Sequence, residues 1–172
     1  MDKEMTQAFI DDTIYYFELN VPRIVNCLGR LSEEQVWIKH NSVCNSVANL
    51  VVHLCGNITQ YVISALGGEE DRRQRDLEFS ITGGYTKAEL IDKITSVSHR
   101  AVAVLRAQDT ASLVKSYSVQ GFNMSGVAIV IHVNEHFSYH VGQIAVLTKL
   151  MVEEDLGFYA GLDLDIKNEI EK

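Results

Sequence analysis

The sequence predicts an all-α protein, a four-helix bundle, on three observations. Four long segments space their apolar residues at three and four positions, the period of a helix with one face in a core. Capping signals and glycines punctuate the intervals between those segments. With 172 residues, 47% apolar and 22% charged, the chain has the length and composition of one compact domain, residues 1–172, that buries a continuous core. No internal repeat or low-complexity tract competes with this reading, and a four-helix bundle is the architecture that buries four such stripes.

The first helix is expected from about Lys3 to Leu31, where Phe9, Ile10, Ile14, Phe17, Val21, Ile24, Val25 and Leu28 recur at helical spacing. Pro22, the only proline, removes a backbone donor in mid-pattern, which predicts a kink or a break near Asn20. Ser32-Glu33-Glu34-Gln35 has the form of a capping box and leads into a short helical turn carrying Trp37. Ser42–Ser46 lead into the second helix, about Ser46–Leu66, which Gly67-Gly68 ends because glycine takes left-handed geometry cheaply. From Asn41 to Gly68 there is no Asp, Glu, Lys or Arg, yet Asn45, Asn49, His53, Asn57 and Gln60 interrupt the run too often for a membrane span. It reads as a buried helix.

The stretch from Glu69 to Gly84 sets Arg72, Arg73 and Arg75 beside Asp71, Asp76 and Glu78 and is expected as a solvated surface connection. Thr86-Lys87-Ala88-Glu89 is a second capping box and opens the third helix, about Lys87–Ala107. The alternation from Leu113 to Phe122 fits a short extended segment or hairpin, but so few residues carry little periodicity. The interval is therefore read as a loop, with no sheet expected in the chain. The fourth helix runs from about Ser125 to Glu154 and stops before Gly157, leaving an acidic tail over 162–172.

Charge and cysteine usage bound the function. With 23 acidic against 15 basic side chains, a net charge of −8 disfavours attraction to nucleic acid phosphates and to anionic membrane surfaces. A small molecule or a basic partner fits better. Cys27, Cys44 and Cys55 are an odd number without framework spacing, so small core hydrophobes in a reducing cytoplasm are expected in place of disulfides. Met1-Asp2-Lys3-Glu4 runs into no apolar core of a signal peptide, and none is expected.

The chemistry concentrates on histidines. His132, His136 and His140 recur at four-residue intervals in the fourth helix, within an arc of roughly 80° at about 100° per residue. Ile129, Val133, Leu147 and Leu150 fall in or beside that arc, while Asn134, Glu135, Ser138, Lys149 and Glu153 take the other side, so the histidines are expected to point inward. A buried imidazolium is costly, so inward histidines must be neutral and either hydrogen-bonded or bound to something. The i, i+4 pair His136 and His140 can place two ring nitrogens on one metal ion, whereas His132 is equally well a core side chain bonded to a carbonyl or water.

A third ligand should come from another helix, and His53, in the uncharged second helix between Asn49 and Asn57, is the candidate. Cys55 faces about 200° away from His53 and cannot share its site. His40 and His99 are expected on the surface. Three imidazoles leave coordination positions open, as in catalytic sites, whereas structural zinc sites are closed by four ligands rich in cysteine. All-nitrogen ligation suits a divalent ion, zinc or nickel first, with iron and copper also possible. Asn49, Asn57 and Gln143 are candidates to accept from the outer ring nitrogens or to bond between helices. Arg73, Arg75 and Asp76 either border the pocket or, as the favoured reading, join an ion-pair network closing the bundle. No general base stands out.

Four stretches, NSVANLVVHLCGN around His53, RQRDLEF at 73–79, HFSYHVGQIAVLTKL from His136 and DLGFYAG near the C-terminus, resemble the DinB/YfiT-like superfamily, and in particular an uncharacterised branch of it, across nearly the whole chain. The middle two are the most distinctive. The resemblance implies a four-helix bundle of unusual connectivity, commonly dimeric, with a metal held by one histidine of the second helix and two of the fourth. His53, His136 and His140 occupy those positions and His132 does not, while Gly142 and Gln143 complete the signature H-x-G-Q that begins at His140.

By fold-level analogy the resemblance further implies a metal-dependent reaction of a small molecule, thiol transfer from a low-molecular-weight thiol or a related isomerisation, ahead of hydrolysis. The alternative is a noncatalytic, metal-stabilised dimeric bundle or a small-ligand-binding protein. The uncharged surface of the second helix, larger than one core needs, is compatible with a homodimer.

Overall fold

Helix α1 spans Lys3–Arg30 in the computed structural model, which describes residues 2–168. The Asp2 side chain caps it by accepting from the Met5 N–H at 2.8 Å. The helix passes Pro22 without the expected break. Proline in a helix interior costs about 3 kcal/mol, but Ile24, Cys27 and Leu28 just beyond it are fully buried. Burying one such side chain contributes about 1.5–3 kcal/mol, so packing carries the helix through. Pro22 and Glu18 are both exposed, and water can serve the Glu18 carbonyl that loses its donor.

Ser32 and Gln35 form the reciprocal capping bonds, at 2.8 and 3.1 Å, that open a 3-10 turn over Gln35–Trp37. Helix α2, Val47–Ile58, starts on a capping box between Ser46 and Asn49 and continues over Thr59–Leu66 as a π-helical segment. There the Gly67 N–H reaches back to the Val62 carbonyl at 2.9 Å. A β-carbon at Gly67 would lie 2.5 Å from the Ile63 carbonyl oxygen, which is why glycine closes this segment. The charged connection that follows contains a short helix, α3 (Arg75–Ser80), absent from the sequence reading. Helix α4 (Lys87–Arg106) begins on the predicted capping box of Thr86 and Glu89.

The segment expected as a loop between α4 and the last long helix is structured instead. It holds helix α5 (Thr110–Val114) and an antiparallel hairpin, β1 (Ser116–Val119) with β2 (Phe122–Ser125), paired Tyr117 to Met124 and Val119 to Phe122. Gln120 and Gly121 turn the chain with φ of 50° and 81°, the double positive geometry that right-twisted strands prefer. The Tyr61 hydroxyl donates to Gln120 Oε1 at 2.7 Å and ties the turn to the end of α2. Helix α6, Gly126–Val152, is capped by Ser125 and ends at Glu153 in left-handed geometry. Residues 162–168 of the expected acidic tail carry no regular structure, and 169–172 lie outside the described residues.

Four long helices form the bundle: α1 packs on α4 and α6, and α2 packs on the same two. Consecutive long helices α1 and α2 therefore sit across a diagonal, and α2 becomes the direct neighbour of α6. Phe17 and Phe137 meet edge to face, centroids 5.2 Å apart, and lock α1 to α6. The core consumes nearly every side of α2, from Val47 to Leu54 and on to Ile63. Its uncharged surface is used inside the chain and, contrary to the expectation from its composition, is not a second face left for self-association. No helix among the described residues is long and apolar enough to cross a membrane.

Candidate metal centre

The contact between α2 and α6 sets His53 against the α6 histidines. Leu50 and Leu54 bury α2 on either side of His53, which is 4% exposed. On α6 the deepest stripe is Ile129, Val133, Phe137, Val141, Ile144 and Thr148, and the histidines line its flank. His140 is buried, while His132 and His136 are half-buried. Leu150, assigned to the histidine side of the helix, is 63% exposed instead. It shares the angular position of His132, the half-buried edge of the arc, and stands in the last turn of the helix. His40 and His99 are exposed, as expected.

His53, His136 and His140 bring one ring nitrogen each within 4.8 Å of one another. The Nε2 atoms of His53 and His136 are 2.9 Å apart, and the ring centroid of His140 lies 4.9 Å from that of His53 and 4.4 Å from that of His136. Two nitrogens each about 2.1 Å from one ion stand roughly 3.0–3.4 Å apart. The group thus has dimensions that could hold a metal ion. His132 is not part of it: its ring stacks at 5.4 Å on His136 and at 4.5 Å on Tyr61, and its Nε2 is 3.5 Å from Asn57 Nδ2.

Protonation states favour ligation. Burial first, then the neighbouring His140, His53, His132 and Arg73, push the His136 pKa down to about 3. Burial also lowers the His140 pKa, against an opposing bond to Gln143, with His53 adding to the lowering. Both rings are therefore neutral at pH 7 and keep a lone pair for an ion. Outer contacts fix two of the three tautomers. His53 Nδ1 donates to Glu78 Oε2 at 2.8 Å, and His140 Nδ1 donates to Gln143 Oε1 at 2.6 Å, so Nε2 is the nitrogen that each neutral ring offers to an ion.

Glu78 is the residue the sequence reading missed. It is 6% exposed, and Arg73 grips it with Nε on Oε1 at 2.7 Å and Nη2 on Oε2 at 2.9 Å. Burial pushes the carboxyl up, but the hydrogen bonds from Arg73 and His53 outweigh it and hold the pKa below the usual 4.5. Glu78 is thus an ionised acceptor, which requires the proton of His53 on Nδ1. Arg73 Nη1 also donates to Gln60 Oε1 at 2.8 Å. The favoured reading of the charged stretch, an ion-pair network, matches this arrangement for Arg73, and the network ends on His53 itself.

Asn49 bonds no imidazole; its amide donates to the carbonyls of Glu78 and Ile81 at 3.0 and 2.9 Å and moors α3 to α2. Gly56 leaves room for the carboxylate: a β-carbon there would overlap Glu78 Oε1 and lie 2.8 Å from its carboxyl carbon. That glycine, one helical turn from His53 within an otherwise side-chain-rich helix, was the sequence signal for a close approach.

Beside the histidines opens a cavity of about 340 Å³ lined by His53, Asn57, Arg73, Arg75, Gln120, Phe122, His132 and His136. The hairpin supplies its Gln120 and Phe122 wall, so the unpredicted β-structure is also part of the candidate site.

A helical bundle with three convergent imidazoles defines a DinB-like fold with a potential metal centre, and comparison with solved structures supports the fold. A DinB-like protein from Bacillus subtilis matches at 17% identity and TM-score 0.63, over 81% of this chain and 91% of that one. A DinB-like protein from Bacillus cereus matches at 15% identity and TM-score 0.66, over 82% and 91%. A conserved protein from Enterococcus faecalis matches at 14% identity and TM-score 0.63, over 90% and 100%. The chain belongs to the family described as Protein of unknown function (DUF1572), whose profile matches residues 4–160. No curated protein matches it.

Proposed function

We propose that the protein holds one divalent ion, zinc or nickel, on His53, His136 and His140 and acts as a metal-dependent enzyme on a small molecule, by thiol transfer or isomerisation ahead of hydrolysis. One observation carries the reading: three nitrogens from two helices converge beside an open cavity, with two of the rings held in ligating tautomers by Glu78 and Gln143. A bound ion would lower the pKa of a water or thiol in its open positions and stabilise the anion as a nucleophile. The chain's own residues prepare that site. Glu78 and Gln143 hold the outer protons of His53 and His140, Phe79 packs its ring 4.6 Å from that of His53, and Phe122 walls the cavity.

The second reading, a noncatalytic metal-stabilised bundle, draws support from the buried Arg73–Glu78 pair, which joins the ligand set to the fold. Metal analysis of the purified chain and of His136→Ala, with unfolding temperature and turnover on thiol and electrophile panels, separates the two. Turnover lost with the metal supports an enzyme; a lower unfolding temperature with no turnover in either protein supports the structural role. The proposal includes a homodimer in a reducing cytoplasm. Exposed Tyr139, Val146 and Leu150 support α6 as its contact face, in place of the buried α2.

A further inference from the structure

We propose that the cavity beside the histidines receives a small molecule carrying a carboxylate, and that Arg75 binds that carboxylate. The inference rests on the metal reading above and names the substrate class of the same site.

The chain as a whole carries a charge of −8, yet none of the residues lining this cavity is acidic. Its two arginines are not equivalent. Arg73 is neutralised, with Nε and Nη2 on the buried Glu78 carboxylate and Nη1 on Gln60. Arg75 has no carboxylate partner among the described residues, although Asp76 is its neighbour in sequence.

Arg75 also rests on an aromatic ring of the site. Its guanidinium carbon lies 4.9 Å over the Phe79 ring, and that ring packs against His53 with centroids 4.6 Å apart. A cation–π contact uses the charge of the guanidinium and none of its N–H groups, so these stay free for a planar bidentate acceptor. The cavity thus presents an exposed cation, unpaired among the described residues and resting on Phe79, one aromatic ring away from His53. With a divalent ion on the histidines, that ion and Arg75 give the cavity a net positive charge. A neutral substrate gains nothing from that arrangement, whereas a carboxylate several bonds from the reacting atom is matched by it.

The test uses the zinc-loaded full chain, with zinc content measured directly, and isothermal titration with two probes that differ in one charge, 3-mercaptopropionate and 3-mercaptopropionamide. The wild-type protein is expected to bind the carboxylate about tenfold more tightly, the scale of one charge-assisted pair. In Arg75→Gln, with zinc still bound, that preference should shrink to within about twofold. Equal wild-type affinities, binding of neither probe, or a preference that survives in Arg75→Gln overturns the assignment while the metal reading stands. A chain that takes up no zinc overturns both.

Discussion

The bond from His53 Nδ1 to Glu78 fixes a tautomer and completes a buried ion pair at once. The Arg73 and Glu78 side chains are 3% and 7% exposed, so this is an interior pair, and removing one partner of such a pair costs about 3–5 kcal/mol. Replacing the carboxylate by an amide is gentler and tests its role toward the metal. Glu78→Gln should weaken zinc binding about 10–100-fold in a chelator competition, the usual effect of losing an outer partner of a ligand histidine. Unchanged affinity would leave Glu78 a purely structural residue.

The titration of these groups sets an acid limit on the metal-free fold. His136 titrates near 3 in the folded chain against an ordinary 6.5, so the unfolded state binds more protons between those values. Its share of stability is present above about 6.5 and is lost as pH falls toward 3. Glu78, held below 4.5, acts in the same sense further down. Urea midpoints of the metal-free protein should therefore fall from about pH 6.5 downward, and His136→Asn should flatten the first part of that fall.

The three histidines were legible because uncharged surroundings and four-residue spacing make inward imidazoles conspicuous. Glu78 was not legible. It sits in a run with Asp71 and Asp76, both exposed, and only the fold shows which of the acids turns inward.

Among the elements, α2 shows most clearly how the site overrides local preference. Alanine is favoured over glycine in a helix by about 1 kcal/mol, so Gly56→Ala would ordinarily stabilise α2. Here the added carbon overlaps the Glu78 carboxylate. Gly56→Ala should therefore lower the unfolding temperature in thermal denaturation and weaken zinc binding in chelator competition; a raised unfolding temperature with full affinity would mean that the carboxylate does not need the space at Gly56.

The four long helices could be read from period and caps because each repeats its signal over many turns. The hairpin could not: its strands are four residues each, and the Gln120-Gly121 turn lacks the asparagine or aspartate that usually marks such geometry. The six residues of α3 were hidden by the charges that flank them. Pro22 misled because burial after it outweighs one lost bond.

Over the whole molecule, connectivity makes the three-histidine cluster. Placing α1 diagonally from α2 leaves α2 beside α6, and residues 83 apart in sequence share a hydrogen bond at the site. An ion bridging these helices must stabilise the bundle by linkage, about 2.7 kcal/mol at a hundred times the dissociation constant. Zinc should raise the unfolding temperature of the wild-type chain, and the gain should vanish in His53→Ala and in His136→Ala alike. A gain surviving the loss of either helix's ligand would mean that the ion sits elsewhere.

X-ray absorption by the zinc-loaded protein reads the donor atoms of the three-histidine site without reference to activity. The expected spectrum shows three imidazole nitrogens at about 2.0–2.1 Å and no sulfur. A spectrum that requires a thiolate near about 2.3 Å, or that accommodates no more than two imidazoles, would contradict that site.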